Sequence, residues 1–220
     1  MDVNRFARER NRMVADQLKT RGIRDPRVIS VFEITPRHLF VPEEERQWSY
    51  DDYPLPIGFN QTISQPYIVA LMTQSLGLTG SARVLEVGTG SGFQAAILSQ
   101  IAAEVHTIEI IPELADRARK IFADLGIGNI YTHIGDGSMG LKQQAPFDAI
   151  IVTAAAPRVP QSLLEQLDDG GRLIIPVGSR GYQELELWTR SGTTFTTHTI
   201  IPVAFVPLRG EQGWGTGWSD

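Results

Sequence analysis

The sequence predicts an α/β fold with a doubly wound, mostly parallel sheet, and three observations lead to this prediction. Short apolar runs rich in β-branched residues alternate with helical patterns from residue 83 onward. These runs lack polar alternation, which indicates strands covered by helices on both faces. A glycine-rich turn links the first run to a helical pattern. The predicted strands cover residues 84–87, 105–108, 130–134, 149–152 and 173–177.

Helices and an irregular segment precede the predicted sheet. Asp25 and Pro26 have the residue types of an N-cap and a first helical position, and Pro36 ends that helix. The segment 48–58 is rich in proline and aromatic residues, which predicts an irregular surface stretch. A second helix is expected over residues 66–76.

The later elements differ in character from the first strands. Residues 112–122 predict a crossover helix, with acidic residues in the first turn and basic residues later. Alternating polar and apolar residues over 184–189, and the Thr, Ile, Val and Phe content of 193–206, predict antiparallel strands at the far edge of the sheet. The glycine-rich tail 210–220 is expected to be mobile.

Length and composition narrow the class of protein. The 220 residues fit one domain, with a helical and substrate-side segment at 1–80, a cofactor-binding core at 81–180, and strands and a tail at 181–220. No long apolar run and no secretory h-region occur, so a cytoplasmic protein without membrane contact is expected. We also expect the protein to be a monomer. Because cysteine is absent, disulfides, thiolate metal sites and a cysteine nucleophile are excluded.

Charge and histidine spacing argue against two kinds of partner. The net charge of −5 gives no overall basic field for nucleic acid, which is therefore a disfavoured substrate. The four histidines lack the spacing of metal ligands, so no metal site is expected.

The glycine-rich turn is the first candidate for ligand binding. Gly88, Thr89, Gly90 and Gly92 follow a predicted strand and open a predicted helix. Glycines let the backbone turn sharply and approach a ligand closely, because they have no Cβ. Such a turn is weak evidence alone, since a plain strand-to-helix connection or a nicotinamide site would look similar.

Acidic residues follow the next two strands. Glu109, with Ile110 beside it, is placed where a carboxylate accepts hydrogen bonds from both ribose hydroxyls of a nucleoside. Asp136, beside Gly137, is placed where it accepts the exocyclic N–H of adenine. Each acid alone is more often a solvated strand end or a helix cap. Their recurrence at successive strand ends favours one adenosine site without a pyrophosphate.

This arrangement over residues 83–177 resembles the class I S-adenosylmethionine-dependent methyltransferases. The resemblance implies a Rossmann-like, seven-stranded, mostly parallel sheet with an N-terminal helical addition. It also implies S-adenosyl-L-methionine as the cofactor.

Three further segments indicate the substrate. They cover residues 58–67, which include Thr62, Ile63 and Ser64, then residues 153–157 and residues 202–208. Together they resemble the protein-L-isoaspartate (D-aspartate) O-methyltransferase family, and the likeness covers nearly the whole chain. Membership would imply methylation of the α-carboxylate of isoaspartyl and D-aspartyl residues in damaged proteins.

The resemblance also implies residue roles. Ser64 matches the catalytic serine of the family, and Thr62, Ile63, Ser64 and Val206 would bind the substrate peptide as an extended strand. A carboxylate acceptor is already ionised at neutral pH and needs no general base. From the residues alone, Ser64 is as well explained as a cap for the following helix.

Two other functions remain open at the level of sequence. One is a class I methyltransferase for a small molecule or RNA. The other is a non-catalytic module that binds a nucleoside or a nicotinamide cofactor.

Overall fold

A seven-stranded sheet forms the centre of the protein in a computed structural model, which describes the backbone of residues 3–215 and the side chains of residues 5–215. A two-stranded hairpin, β1 and β2, lies outside this sheet. The strands are β1 (Leu55–Gly58), β2 (Gln61–Ile63), β3 (Arg83–Val87), β4 (Glu104–Glu109), β5 (Ile130–Ile134), β6 (Phe147–Val152), β7 (Leu167–Ser179), β8 (Tyr182–Ser191) and β9 (Thr194–Val203). The α-helices are α1 (Val3–Met13), α2 (Pro26–Ile34), α3 (Pro66–Leu76), α4 (Phe93–Leu98), α5 (Pro112–Asp124) and α6 (Gln161–Glu165).

The strand order confirms the predicted fold class. The order is β5-β4-β3-β6-β7-β8-β9, and β3 pairs in parallel with β4 on one side and β6 on the other. β5 and β7 continue the parallel part, whereas β8 and β9 are antiparallel. The two C-terminal strands were predicted to be antiparallel strands at the edge of the sheet, and this prediction is confirmed.

Each face of the sheet is covered by its own apolar cluster. Side chains alternate along β3, so that Val84 packs with the helices α2, α3 and α4, whereas Leu85 and Val87 pack on the opposite face with Leu163 of α6. This two-sided burial explains why the strand sequences are continuously apolar. No helix in the described part of the chain is long and apolar enough to cross a membrane.

The N-terminal helices are attached to the core by aromatic contacts. Asp25 caps α2 by accepting a hydrogen bond from the Arg27 N–H at 2.9 Å, as predicted. The Phe93 ring, at the start of α4, meets the rings of Phe32 and Phe40 edge-on at 5.8 and 5.5 Å. Aromatic pairs in this arrangement each contribute about 1 kcal/mol beyond their burial. The N-terminal segment is thereby fixed to the helix that follows the glycine-rich turn.

The prediction of an irregular stretch over residues 48–58 is wrong for its last part. Leu55–Gly58 forms β1, which pairs with β2, and the side chains of Leu55 and Ile57 are buried. Pro56 is compatible with this strand because the hairpin has free edges that need no N–H donor at that position. Pro54 and Pro56 therefore flank the buried Leu55 and do not prevent a strand.

The C-terminal segment up to residue 215 is held by hydrogen bonds, contrary to the expected mobility of the tail. The Trp214 indole N–H donates to the Ala155 carbonyl at 3.0 Å, and the Trp214 backbone N–H donates to the Leu208 carbonyl at 2.7 Å. The rest of the expected mobile tail, residues 216–220, lies outside the described residues.

The hairpin turn provides a test of backbone strain. Phe59 and Asn60 both have a positive φ, 57° and 56°, as in type I′ turns, which normally carry Asn or Gly. Phe59 is 45% exposed, so its ring gains little from burial. Phe59→Gly is expected to stabilise the fold by about 0.5–1 kcal/mol in urea unfolding, because glycine adopts this φ without strain.

Phe59→Ala is the matched control, since it removes the same ring but keeps the Cβ. It should not raise stability. Equal stabilisation by alanine and glycine would show that backbone strain is not the cause.

Candidate active site

A cavity opens at the carboxyl ends of β3, β4 and β6, next to the segment between β2 and α3. It brings together ten of the residues that the sequence predicted for the site. They are Thr62, Ile63, Ser64, Gly88, Thr89, Gly90, Glu109, Ile110, Gly137 and Val206.

The glycine-rich turn is shaped by positive φ angles. Gly88 has φ 96° and Gly90 has φ 51°. A Cβ at Gly88 would overlap the Thr153 hydroxyl, which donates a hydrogen bond to the Gly88 carbonyl at 2.7 Å. Only glycine satisfies both the conformation and the space at this position. The backbone of the turn lines the cavity without a covering side chain at its glycines, so that a ligand can approach it closely.

Glu109 connects this turn to the end of β4. Its side chain is almost fully buried. Oε2 accepts the Gly90 N–H at 2.8 Å, and Oε1 accepts the Ile111 N–H at 3.0 Å. Each carboxylate oxygen has a further lone pair. Glu109 therefore fixes the turn and still has acceptor capacity for hydroxyl groups of a ligand in the cavity.

A second carboxyl group, that of Glu86, is fully buried beneath the turn. The pKa of Glu86 is raised to about 8, mainly by burial and less by the nearby Glu109, whereas the hydrogen bond from the Thr107 hydroxyl opposes this shift. The Thr107 hydroxyl is also hydrogen-bonded to that of Thr89 at 2.6 Å. A chain of hydroxyl groups therefore joins the buried carboxyl to the cavity wall.

Ser64 lines the cavity and does not cap a helix. The N-cap of α3 is Gln65, and no side chain makes a capping hydrogen bond there. We find no hydrogen-bond partner for the Ser64 hydroxyl within residues 5–215. The capping interpretation is thus not supported by the geometry, and the hydroxyl is available to a ligand.

The backbone of Ser64 is held by a buried arginine that the sequence analysis did not identify. Arg37 Nη2 donates to the Ser64 carbonyl at 2.8 Å. Burial lowers the pKa of Arg37 to about 9, and the nearby Asp52 carboxylate opposes that shift. The guanidinium is still protonated at neutral pH. No sequence signal marked Arg37, because arginine is normally a surface residue.

Two residues predicted to bind the cofactor do not line the cavity. Gly92 instead allows close packing, because a Cβ there would come within 2.9 Å of the Phe122 ring of α5. Asp136 accepts hydrogen bonds from the Ser138 N–H at 2.9 Å and the Glu211 N–H at 2.8 Å. Its carboxylate therefore caps the turn that carries Gly137 and anchors the C-terminal segment.

Val206 is held in the lining of the cavity by backbone hydrogen bonds. Its carbonyl accepts the Ala155 N–H at 2.8 Å, and the Leu208 N–H donates to the Ala155 carbonyl at 2.8 Å. Residues 206–208 thus run parallel to the segment that comes after β6 in the chain. The sequence analysis also missed Thr153 and Arg209 as lining residues, because strand order alone brings their segments here.

The histidines do not form a metal centre. His106 and His133 lie on neighbouring strands with Nδ1 and Nε2 3.0 Å apart, and His38 Nδ1 is 2.8 Å from the Tyr50 hydroxyl. Among the residues whose structure is described, no group of three or more potential ligands could hold a metal ion.

Comparison with protein families gives one match that covers most of the chain. Residues 8–213 match the family model described as protein-L-isoaspartate(D-aspartate) O-methyltransferase. The chain is 54% identical over 211 residues to protein-L-isoaspartate O-methyltransferase 2 of Shewanella sediminis, covering 96% of this chain and 86% of that protein. It is also 54% identical over 209 residues to the protein-L-isoaspartate O-methyltransferase of a Roseiflexus species, covering 95% of both chains.

Solved structures agree with these relatives. One protein-L-isoaspartate O-methyltransferase superposes with a TM-score of 0.84 at 28% identity, covering 93% of this chain and 67% of that chain. A Plasmodium falciparum protein described as a candidate for the same enzyme was solved in complex with S-adenosyl-L-homocysteine. It superposes with a TM-score of 0.80 at 25% identity, covering 91% of this chain and 98% of that chain.

The buried carboxyl of Glu86 predicts a pH-dependent stability. Its folded pKa of about 8 lies above the model-peptide value of 4.5, so the folded state holds the proton more tightly than the unfolded state. Its stabilising contribution is complete below pH 4.5 and is lost as the pH rises to 8. Glu86→Gln should therefore gain stability relative to the parent from pH 5 to pH 9, on the order of 3 kcal/mol.

Thermal and urea unfolding across this pH range measure the difference. Glu113→Gln, at an exposed position in the first turn of α5, is the control and should show no such trend. A constant difference between Glu86→Gln and the parent would mean that Glu86 is ionised in the fold.

Proposed function

This chain belongs to the protein-L-isoaspartate(D-aspartate) O-methyltransferase family, and we infer that it transfers a methyl group from S-adenosyl-L-methionine to the α-carboxylate of L-isoaspartyl and D-aspartyl residues in damaged proteins. The observation that carries this conclusion is the family match over residues 8–213, which includes every candidate site residue. The reaction is a repair step, because the esterified residue can close to a succinimide.

The residues of the cavity fit the cofactor. S-Adenosylmethionine supplies, when bound, an electrophilic methyl group on a sulfonium. We propose that backbone groups of Gly88, Thr89, Gly90, Ile110 and Gly137 contact it, since all of them line the cavity. Glycine at the tight turn allows the close approach that such contacts need.

The carboxylates near the cavity have distinct proposed roles. Glu109 accepts hydrogen bonds from the ribose hydroxyls with the lone pairs that the backbone N–H groups leave free. Asp136 is proposed to accept the exocyclic N–H of adenine with the lone pair that the bonds from Ser138 and Glu211 leave free. Gly92 acts indirectly, by letting α4 pack against α5.

Ser64 is the proposed catalytic residue. Its hydroxyl has no partner among residues 5–215, so it is available to donate to one oxygen of the acceptor carboxylate. The acceptor is already ionised and needs no base, so catalysis consists mainly of orientation and removal of water. The hydroxyl would hold one oxygen and leave the other free to attack.

Thr62, Ile63, Ser64 and Val206 are proposed to bind the substrate peptide. They lie on two backbone segments that both line the cavity. Pairing through the peptide backbone reads few side chains, as a repair enzyme requires for damaged sites in varied sequences.

We further propose a single methyltransferase domain over residues 1–220, which acts as a cytoplasmic monomer without nucleic acid or membrane partners. The net charge of −5 supports the exclusion of nucleic acid. Size-exclusion chromatography with light scattering tests the monomer, and a filter-binding assay with RNA and DNA tests the exclusion.

The substrate prediction is tested with a pair of peptides that differ only in an isoaspartyl or a normal aspartyl residue. Incorporation of labelled methyl from S-adenosylmethionine should occur with the isoaspartyl peptide and be at least about 100-fold lower with its twin, since the acceptor carboxylate is displaced by one bond. Activity on neither peptide would indicate a small molecule or RNA as the acceptor.

Ser64→Ala tests the proposed catalytic group. It should lower kcat/KM for the isoaspartyl peptide by about 100-fold, in the range expected for loss of one oriented hydrogen-bond donor. Its melting temperature should stay within about 1 °C of the parent, because no structural hydrogen bond is lost. Unchanged turnover with reduced stability would contradict the catalytic role and favour a structural one.

Glu109→Gln tests the cofactor prediction by calorimetry with S-adenosylhomocysteine. Replacing one acceptor oxygen by an NH₂ group should weaken binding by about tenfold, because the remaining oxygen cannot serve both the backbone and the ribose. The exposed Glu113→Gln variant is the control and should bind like the parent. Tight NAD binding by the parent, without binding of S-adenosylhomocysteine, would overturn the cofactor assignment.

A further inference from the structure

Arg37 lies fully buried where three segments of the candidate site meet. Its Nε donates to the Ser49 carbonyl at 2.7 Å, and its Nη2 donates to the Ser64 carbonyl at 2.8 Å. Its Cζ lies 4.9 Å from the centre of the Phe93 ring. One guanidinium therefore contacts the segment before the hairpin, the segment that carries Ser64, and the helix that follows the glycine-rich turn.

We propose that Arg37 is a positioning residue that fixes the Ser64 hydroxyl relative to the cofactor-binding turn. This inference rests on the proposed function of Ser64. The carbonyl that Arg37 holds belongs to the same residue as the catalytic hydroxyl. The ring below the guanidinium belongs to Phe93, which directly follows Gly92 of the turn. Arg37 thus joins the substrate side and the cofactor side of the cavity.

The cost of burying Arg37 argues against a purely stabilising role. Removing a guanidinium from water is energetically unfavourable, and apolar residues of similar volume often stabilise a core better. Arg37 has no ion pair with a carboxylate in the described part of the chain, and its Nη1 has no hydrogen-bond partner. Asp52 attracts the charge from nearby but is ion-paired with Arg21 at 2.5 Å.

The geometry of the contacts requires arginine in particular. The planar guanidinium presents donors in a fixed fork, so the carbonyls of Ser49 and Ser64 are held at a set distance from each other. A lysine ammonium is a point charge on a flexible stem and imposes no such spacing. Methyl transfer depends on orientation, and a shift of about 1 Å in a reacting group costs about 100-fold in rate.

The test is a double-mutant cycle of Arg37→Lys and Ser64→Ala, measured as kcat and KM for the isoaspartyl peptide at saturating S-adenosylmethionine. With Ser64 present, Arg37→Lys should lower kcat by roughly tenfold, because the hydroxyl is no longer held in place. In the Ser64→Ala variant, Arg37→Lys should lower kcat by less than about twofold. Binding of S-adenosylhomocysteine should stay within about twofold of the parent throughout.

Arg190→Lys is the matched control. Arg190 is half-buried and also donates to two backbone carbonyls, those of Gly192 at 3.0 Å and of Leu167, but it lies on β8 away from the cavity. Arg190→Lys should leave kcat and KM unchanged both in the parent and in the Ser64→Ala variant. Unfolding of every variant is measured alongside, since a merely structural role of Arg37 would lower stability without a loss that depends on Ser64.

An equal effect of Arg37→Lys in both backgrounds would overturn the inference while leaving the proposed function intact. A parent chain that does not esterify the isoaspartyl peptide would overturn both. If Arg37→Lys does not fold, Phe93→Leu replaces it in the cycle, because it removes the ring on which the guanidinium rests. The same dependence on Ser64 is then expected, and an additive result again overturns the inference.

Discussion

Strand β3 has parallel neighbours on both sides, and this pairing determines where the site lies. Its register with β4 and β6 brings the carboxyl ends of three strands to one edge of the sheet. Residues that are far apart in sequence, such as Gly88, Glu109 and Thr153, meet there because each directly follows or ends a strand. The glycine-rich turn would have no ligand site without this convergence.

The N-terminal segment completes the site by packing on the first helix after that turn. The rings of Phe32, Phe40 and Phe93 join the two parts, and Arg37 lies against the last of them. Ser64 is thereby held by residues of the fold core instead of by a free loop. Rigid support of this kind suits a reaction whose acceptor is already ionised and whose rate depends on alignment.

Two buried ionisable groups lie near the candidate site, Glu86 on β3 and Arg37 beside the Ser64 carbonyl. Glu86 has a pKa raised to about 8 and is largely protonated at neutral pH, so it adds little negative charge beneath the cavity. Arg37 has a pKa lowered to about 9 and keeps its positive charge behind Ser64.

Sequence patterns predicted the fold class, most strand positions and six of the residues that line the cavity, because apolar runs and glycine turns express local geometry. The family resemblance, and not a local pattern, indicated the other four, which are Thr62, Ile63, Ser64 and Val206. Local patterns did not predict features that depend on contacts between residues distant in the sequence. The buried strand Leu55–Gly58 was missed because its partner strand outweighs the effect of proline. The packing of Gly92 against Phe122 and the bond from the Glu211 N–H to Asp136 were not visible in the sequence, because these partners are distant along the chain. Arg37 could be recognised only in three dimensions, since the carbonyls and the ring that hold it come from segments that meet only after folding.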